Sequence, residues 1–212
     1  LFRSYIMNGE LGKKGESTGL ALWSITGKGV LEKFEPILEQ QSFRGPISVS
    51  GNLVEKGMQP HTLLPRLTYD TLPAFLELYQ GEVGKLLSDI AKGQTRTKIP
   101  VKDGVASSVR VTTPPYPDPL PHSQRPLLEG LTMEDRSHCY LYQVKFNKNN
   151  ELAGVGSLIG AFTGRGENIV HSFSKAYDIA GRLRVPDKQY RTDLPQVLGD
   201  DYAKLEFEKE AE

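Results

Sequence analysis

Hydrophobic side chains in this sequence recur at two spacings, one typical of helices and one typical of strands. The helical spacing is clearest between Thr71 and Lys92, where apolar residues repeat every three or four positions: Leu72, Phe75, Leu76, Tyr79, Val83, Leu86, Leu87 and Ile90. Thr71 is of a type that caps helix N-termini, and Gly93 is of a type that ends helices. We therefore predict one amphipathic helix between these two ends, weakened in its middle by Gly81 and Gly84.

Two further segments show helical spacing. Beyond Asn168, one helical face is apolar and carries Ile169, Val170, Phe173, Ala176, Tyr177, Ala180 and Leu183. Residues 30–40 carry a shorter pattern, which Pro36 must kink or restart because proline has no amide donor. The sequence thus predicts two or three packed amphipathic helices.

The strand-like segments are short and often adjacent along the chain. They include "LALWSI", "GPISVSG", "CYLYQVKF" and the glycine-rich run that starts at Leu152. Residues 97–113 predict a β-hairpin, because Asp103–Gly104 can adopt the positive backbone angles of a tight two-residue turn. We therefore predict an α+β fold with a mixed, mainly antiparallel sheet of about seven strands.

The length of 212 residues fits a single α+β domain over 1–212. Six of the chain's 14 prolines fall within 114–126, which predicts an extended polyproline-like connector there. Residues 199–212 contain six acidic residues and two lysines, and we predict an acidic C-terminal tail. The long connector and the tail are segments that can become ordered against a neighbouring subunit.

Composition narrows the classes of partner. Lysine plus arginine total 26 and aspartate plus glutamate total 26, so no overall field draws the protein to nucleic acid or membranes. No apolar run reaches the length of a membrane span, and we predict none. The one cysteine, Cys139, and the lack of an Asn-x-Ser/Thr acceptor favour an intracellular, cytoplasmic location.

The glycine-rich stretch 154–166 offers one alternative function. Gly160, Gly164 and Gly166 have the spacing of a dinucleotide-binding loop and precede a helix, whose N-terminus favours phosphate. Too few residues follow to build the parallel sheet that such loops serve. The other interpretation is a strand whose glycines allow a close packing contact. A nucleotide-dependent enzyme that uses 160–166 stays one hypothesis.

A local excess of positive charge offers a second alternative. The predicted 92–110 hairpin and the glycine stretch suggest RNA or single-stranded nucleic-acid binding. The residues that would contact phosphates are Arg96, Lys98, Lys102, Arg110 and Arg165. Lysines on an exposed edge strand also discourage aggregation, which explains the same residues without a ligand.

No set of residues converges on a reaction. The four histidines are scattered without paired metal-ligand spacing, and a structural zinc site normally needs more than one cysteine. We therefore predict no catalytic, metal or cofactor site. The leading hypothesis is a non-catalytic intracellular binding protein, acting as a subunit or structural component of a larger assembly through protein partners or self-assembly.

Overall fold

The computed structural model describes residues 6–13, 16–23, 32–54, 57–67, 69–94, 100–119 and 124–196. The strands in these ranges are β1 Ile6–Lys13, β2 Glu16–Trp23, β3 Ser48–Val54, β4 Gly57–Leu64, β5 Val105–Thr112, β6 Cys139–Leu141, β7 Val144–Phe146, β8 Leu152–Gly154 and β9 Leu158–Gly166. The α-helices are α1 Glu35–Gln40, α2 Thr71–Leu78, α3 Val83–Lys92 and α4 Ile169–Arg182. Short 3₁₀ helices occupy Glu32–Phe34 and Glu134–His138.

The largest sheet has the strand order β1-β2-β5-β9-β6, with every neighbouring pair antiparallel. Two separate two-stranded sheets are formed by β3–β4 and by β7–β8. The predicted mixed α+β class with antiparallel sheets is confirmed. The strand number is not, because the described residues form three sheets rather than one sheet of about seven strands.

One face of the large sheet forms the main core with α4. Residues alternate across a strand, so Val109 and its cross-strand partner Phe162 point to the same face. Both are fully buried and belong to one cluster with Phe173, Ala176 and Ala180 of α4. Most of the apolar face predicted for this helix is therefore buried, whereas Val170 of that predicted face is exposed.

Glycines in β9 let α4 lie close to the sheet. A Cβ added at Gly164 would lie 2.7 Å from the backbone nitrogen of Ala176, and one added at Gly166 would lie 2.7 Å from the backbone nitrogen of Ser172. Gly164 is also paired with Ser107 in β5. Residues 158–166 therefore form the closely packed glycine strand that one interpretation of 154–166 predicted.

The opposite face of the sheet is covered by α2, which packs against β2, β5 and β9. Ala74, Phe75 and Leu78 of α2 are buried. The sheet is thus a middle layer between α2 and α4. The buried polar groups of the candidate site lie on the α2 side of the sheet.

The predicted long helix over 71–92 is two helices. Asp70 is the N-cap of α2, and Tyr79 leaves the helix with extended backbone angles. Tyr79 forms an antiparallel bridge with Val101, and the Lys102 N–H donates to the Leu78 carbonyl at 2.7 Å. Pairing with this neighbouring segment replaces helical hydrogen bonds. The predicted end is confirmed, since Gly93 adopts the left-handed conformation with φ of 66°.

Two strand predictions were wrong. The predicted 92–110 hairpin would pair β5 with the segment that precedes Asp103–Gly104. In the described residues β5 pairs instead with β2 on one side and with β9 on the other, so this hairpin does not form. The segment "CYLYQVKF" contains two strands, since β6 joins the large sheet and β7 pairs with β8. In both cases the local pattern predicted strand residues, but pairing with segments distant in sequence decided which strands they joined.

The first part of the proline-rich segment forms turns rather than an extended chain. The Tyr116 N–H donates to the Thr113 carbonyl and the Asp118 N–H donates to the Pro115 carbonyl, which makes successive turns over 113–118. The middle of the predicted 114–126 connector, residues 120–123, lies outside the described residues. The predicted acidic tail at 199–212 also lies outside them.

Candidate functional site

A buried polar layer lies between α2 and the large sheet. It contains Asp70 at the start of α2, Glu77 near its end, and Ser108 and Thr163 on neighbouring strands, each at most 5% exposed. Ser108 and Thr163 are direct cross-strand partners. Because burying polar groups costs free energy unless they are hydrogen-bonded, such a layer needs specific partners.

Glu77 is the centre of one half of this layer. Its Oε2 accepts a hydrogen bond from the Thr163 hydroxyl at 2.6 Å and lies 2.9 Å from Nδ1 of His138. The Thr163 hydroxyl also lies 3.3 Å from the His138 carbonyl oxygen. The three residues come from a helix, a strand and a 3₁₀ helix, and they form one connected hydrogen-bond network.

The 3₁₀ helix that carries His138 is fixed at its N-terminal end. The Thr132 N–H donates to Asp135 at 2.9 Å, and the Asp135 N–H donates back to the Thr132 hydroxyl at 3.3 Å. This reciprocal pair resembles a capping box. Asp135 also forms an ion pair with Arg182 at the end of α4. The turn is thereby tied to the main core, which holds His138 against Glu77.

Asp70 and Arg110 form the other half of the layer. Nε of Arg110 donates to Oδ1 of Asp70 at 3.0 Å, and a second guanidinium nitrogen pairs with the other carboxylate oxygen. Nη1 of Arg110 also donates to the Tyr116 hydroxyl at 3.0 Å. Burial opposes the guanidinium charge, but the Asp70 carboxylate outweighs it and raises the pKa of Arg110.

Tyrosines border the layer. The Tyr142 hydroxyl donates to the Tyr69 carbonyl at 2.6 Å, and the two rings pack edge to face. Burial, together with the nearby charge of Glu77, raises the pKa of Tyr140 to about 12. Burial and the charge of Asp70 also raise the pKa of Tyr142. Both phenols are therefore neutral hydrogen-bonding groups at physiological pH.

The structure brings two of the predicted basic residues to opposite ends of α2. Arg110 pairs with Asp70 at its N-terminus, and Nζ of Lys102 donates to the Glu77 carbonyl at 3.2 Å near its C-terminus. Arg165 is exposed on β9 and donates to the Asp103 carbonyl at 2.9 Å. The predicted contacts Arg96 and Lys98 lie outside the described residues.

Among the described residues, no group of three or more His, Cys, Asp or Glu side chains is arranged to hold a metal ion. No helix in the described part of the chain is long and apolar enough to cross a membrane.

Sequence reasoning missed Glu77, His138 and Thr163 as a set. Glu77 is 61 residues from His138 and 86 from Thr163, so no spacing rule links them. One signal was present: Glu77 belongs to a helix that carries buried residues around most of its circumference. A carboxylate on such a helix needs a partner, although the helix alone does not say which.

No protein-family model matches this chain, and no curated protein matches it. Among solved structures, the chain is similar to phosphoribosylamine–glycine ligase from Thermotoga maritima, with a TM-score of 0.64 and 20% sequence identity. The likeness covers 90% of this chain and 50% of the ligase chain. The chain therefore has a fold found in that ligase and spans about half of the ligase's length.

Proposed function

We propose that this chain works as one part of a larger ligase-like protein, together with a region or subunit that supplies the rest of the ligase fold. One observation carries the proposal: the likeness extends over nearly the whole of this chain but only half of the ligase chain. It agrees with the expectation from sequence of a subunit or structural component that acts through protein partners.

The activity that we propose for the assembled protein is the one that the ligase's name states, the joining of phosphoribosylamine and glycine. Forming such a bond requires groups that orient an amine and a carboxyl group and that take up a proton. In the layer between α2 and the sheet, the Asp70 and Glu77 carboxylates and the Thr163 hydroxyl are held by hydrogen bonds, as preorganised sites require. We place the assembled protein in the cytoplasm, as the single cysteine suggests.

The test compares the chain alone with the chain expressed together with the coding regions that flank it. Light scattering on the purified material measures whether the native species exceeds 23.5 kDa, the mass of this chain. Amide formation from phosphoribosylamine and glycine, with ATP supplied as the energy source, is measured on the same material. We expect product only when the remaining part is present.

Two results would count against this proposal. Full activity of the isolated chain would show that it needs no further part. Absence of product in every preparation, while a phosphoribosylamine–glycine ligase is active in the same mixture, would remove the ligase assignment.

Nucleic-acid binding stays a separate prediction. Arg165 is the predicted contact residue that the structure describes as exposed. If RNA binds through this surface, Arg165→Gln should weaken retention on a polynucleotide column and reduce its salt dependence, because one phosphate contact is lost. Unchanged elution of the variant would exclude this residue from binding.

A further inference from the structure

One ring nitrogen of His138 contacts a buried carboxylate, and the other ring nitrogen makes no hydrogen bond within the described residues. Its Nδ1 lies 2.9 Å from Oε2 of Glu77, and the side chain is 39% exposed, whereas Glu77 is 5% exposed. Within the described residues, Nε2 of His138 makes no hydrogen bond. The imidazole thus bridges a buried carboxylate and the protein surface.

The Glu77 carboxylate selects one tautomer of the neutral ring. An ionised carboxylate only accepts hydrogen bonds, so Nδ1 must carry the proton and Nε2 keeps its lone pair. The Thr163 hydroxyl donates to the same carboxylate oxygen and helps to fix its position. This arrangement, a carboxylate that orients a histidine whose other nitrogen is available, is the one used for general bases.

The charges around the pair suit uptake of a proton at Nε2. The imidazolium that results would face the Glu77 carboxylate, which compensates its charge. The hydroxyl of Tyr140 is neutral at physiological pH, and the ammonium of Lys102 binds the Glu77 backbone carbonyl. On the 3₁₀ helix itself, Asp135 is paired with Arg182.

We propose that His138 is the general base of this ligase-like protein, and that Glu77 positions it; the inference rests on the proposed function. Nε2 accepts the N–H proton of the substrate amine while the amine nitrogen bonds to the carbonyl carbon of the activated carboxyl group. The bond to the leaving group breaks, and the leaving group keeps that electron pair. Activation of the carboxyl is supplied by a nucleoside triphosphate.

The first test uses the whole protein without substrate. A nitrogen-detected or long-range ¹H–¹⁵N spectrum reports which ring nitrogen of His138 is protonated. We expect the Nδ1–H tautomer in the parent protein and a smaller population of it in Glu77→Leu, whose side chain has no atom that accepts a hydrogen bond. A parent protein that holds the Nε2–H tautomer would overturn the proposal, because Nε2 would then have no lone pair to accept a proton.

The second test measures kcat, KM and their pH dependence in the assembled protein. His138→Gln should lower kcat by about 100-fold, the lower end of the usual general-base contribution, with little change in KM. His171→Gln is the matched control, since His171 is exposed on α4 outside the polar layer. Imidazole should partly restore the activity of His138→Ala, which a merely structural role would not allow.

The outcomes separate the two proposals. If the parent protein forms product and His138→Gln is as active as His171→Gln, the role of His138 is overturned while the ligase function stands. If the parent protein forms no product, the proposed function fails, and the role of His138 in that reaction fails with it. Should His138→Gln fail to fold, Glu77→Gln must still lower kcat and shift the pH profile.

Discussion

Arg110 on β5 and Asp70 at the start of α2 form a two-point ion pair across the helix–sheet boundary. The side chain of Asp70 is fully buried and that of Arg110 is 13% exposed. Asp70 occupies the N-cap position of α2, yet its carboxylate makes no capping hydrogen bond there. The pair therefore fixes the position of α2 on the sheet, and with it the position of Glu77.

Breaking the Arg110–Asp70 ion pair should lower the free energy of unfolding. Arg110→Met removes the guanidinium that pairs with the buried Asp70 carboxylate, and we expect the free energy of unfolding to fall by about 3–5 kcal/mol. Arg184→Met is the control, because the Arg184–Glu129 pair is 73% and 61% exposed, and exposed pairs contribute less than about 1 kcal/mol. Urea unfolding measures both variants, and equal losses would contradict the role of Arg110.

The close contact between β9 and α4 gives a second prediction. Gly164→Ala places a methyl group against the backbone of Ser172 and Ala176, which cannot move away without displacing the helix. We expect a loss of about 1–3 kcal/mol, as for other overpacked cores. Gly181→Ala in α4 meets no atom within 4 Å, and it should be neutral or stabilising by up to about 1 kcal/mol. If Gly164→Ala were as stable as Gly181→Ala, the close packing would be disproved.

Cys139 should weaken the fold at alkaline pH. Burial, with a contribution from Asp135, raises the pKa of its thiol from 9.0 to about 12. Above pH 9.0 the unfolded chain releases this proton and the folded chain does not, so the stabilisation present below pH 9.0 is lost as pH rises toward 12. Stability of Cys139→Ala should therefore fall less steeply over this range. The native thiol should also react slowly with Ellman's reagent at neutral pH, because the thiolate is the reactive form; fast reaction would contradict the raised pKa.

Asp135 should contribute stability in the opposite pH range. Burial alone would raise its pKa, but hydrogen bonds from Thr132 and Arg182 outweigh burial and hold it below 3.8. The contribution is present above pH 3.8 and is lost as pH falls below that value, since the unfolded chain then takes up the proton while the folded carboxyl is still ionised. Acid unfolding of Asp135→Asn should be flatter than that of the parent protein. The control Asp103→Asn, at an exposed residue, should keep the parent's profile.

Local sequence patterns predicted two kinds of element: those that pair with a segment nearby in the chain, and those that bury only one of their faces. The helix after Asn168 begins as expected, and the Asn168 side chain accepts a hydrogen bond from the His171 N–H. The helix predicted over 71–92 was too long, because the apolar residues keep their helical spacing across the break between α2 and α3. Tyr79 keeps the spacing of the helical pattern but pairs with Val101 instead.

The candidate site shows the same limit more strongly. The basic residues were predicted as a phosphate-binding set from their density along the chain, whereas Arg110 and Lys102 in the structure contact the two ends of α2. Glu77 carried one local signal, its position on a helix with buried residues around most of its circumference, and His138 carried none. Their relation depends on α2 lying across the sheet, which no spacing in the sequence encodes.

The sequence by itself determined the α+β class and the caps that begin α4 and end α3, and it offered a close packing contact as one of two interpretations of the glycines of β9. These follow from backbone geometry and from hydrophobic period, which act over a few residues. Only the tertiary structure decided which strands pair with β5, where α2 ends, and which polar side chains contact one another between α2 and the sheet. Hydrogen bonds between distant segments and the cost of burying unpaired charge set those features, and both depend on the whole fold.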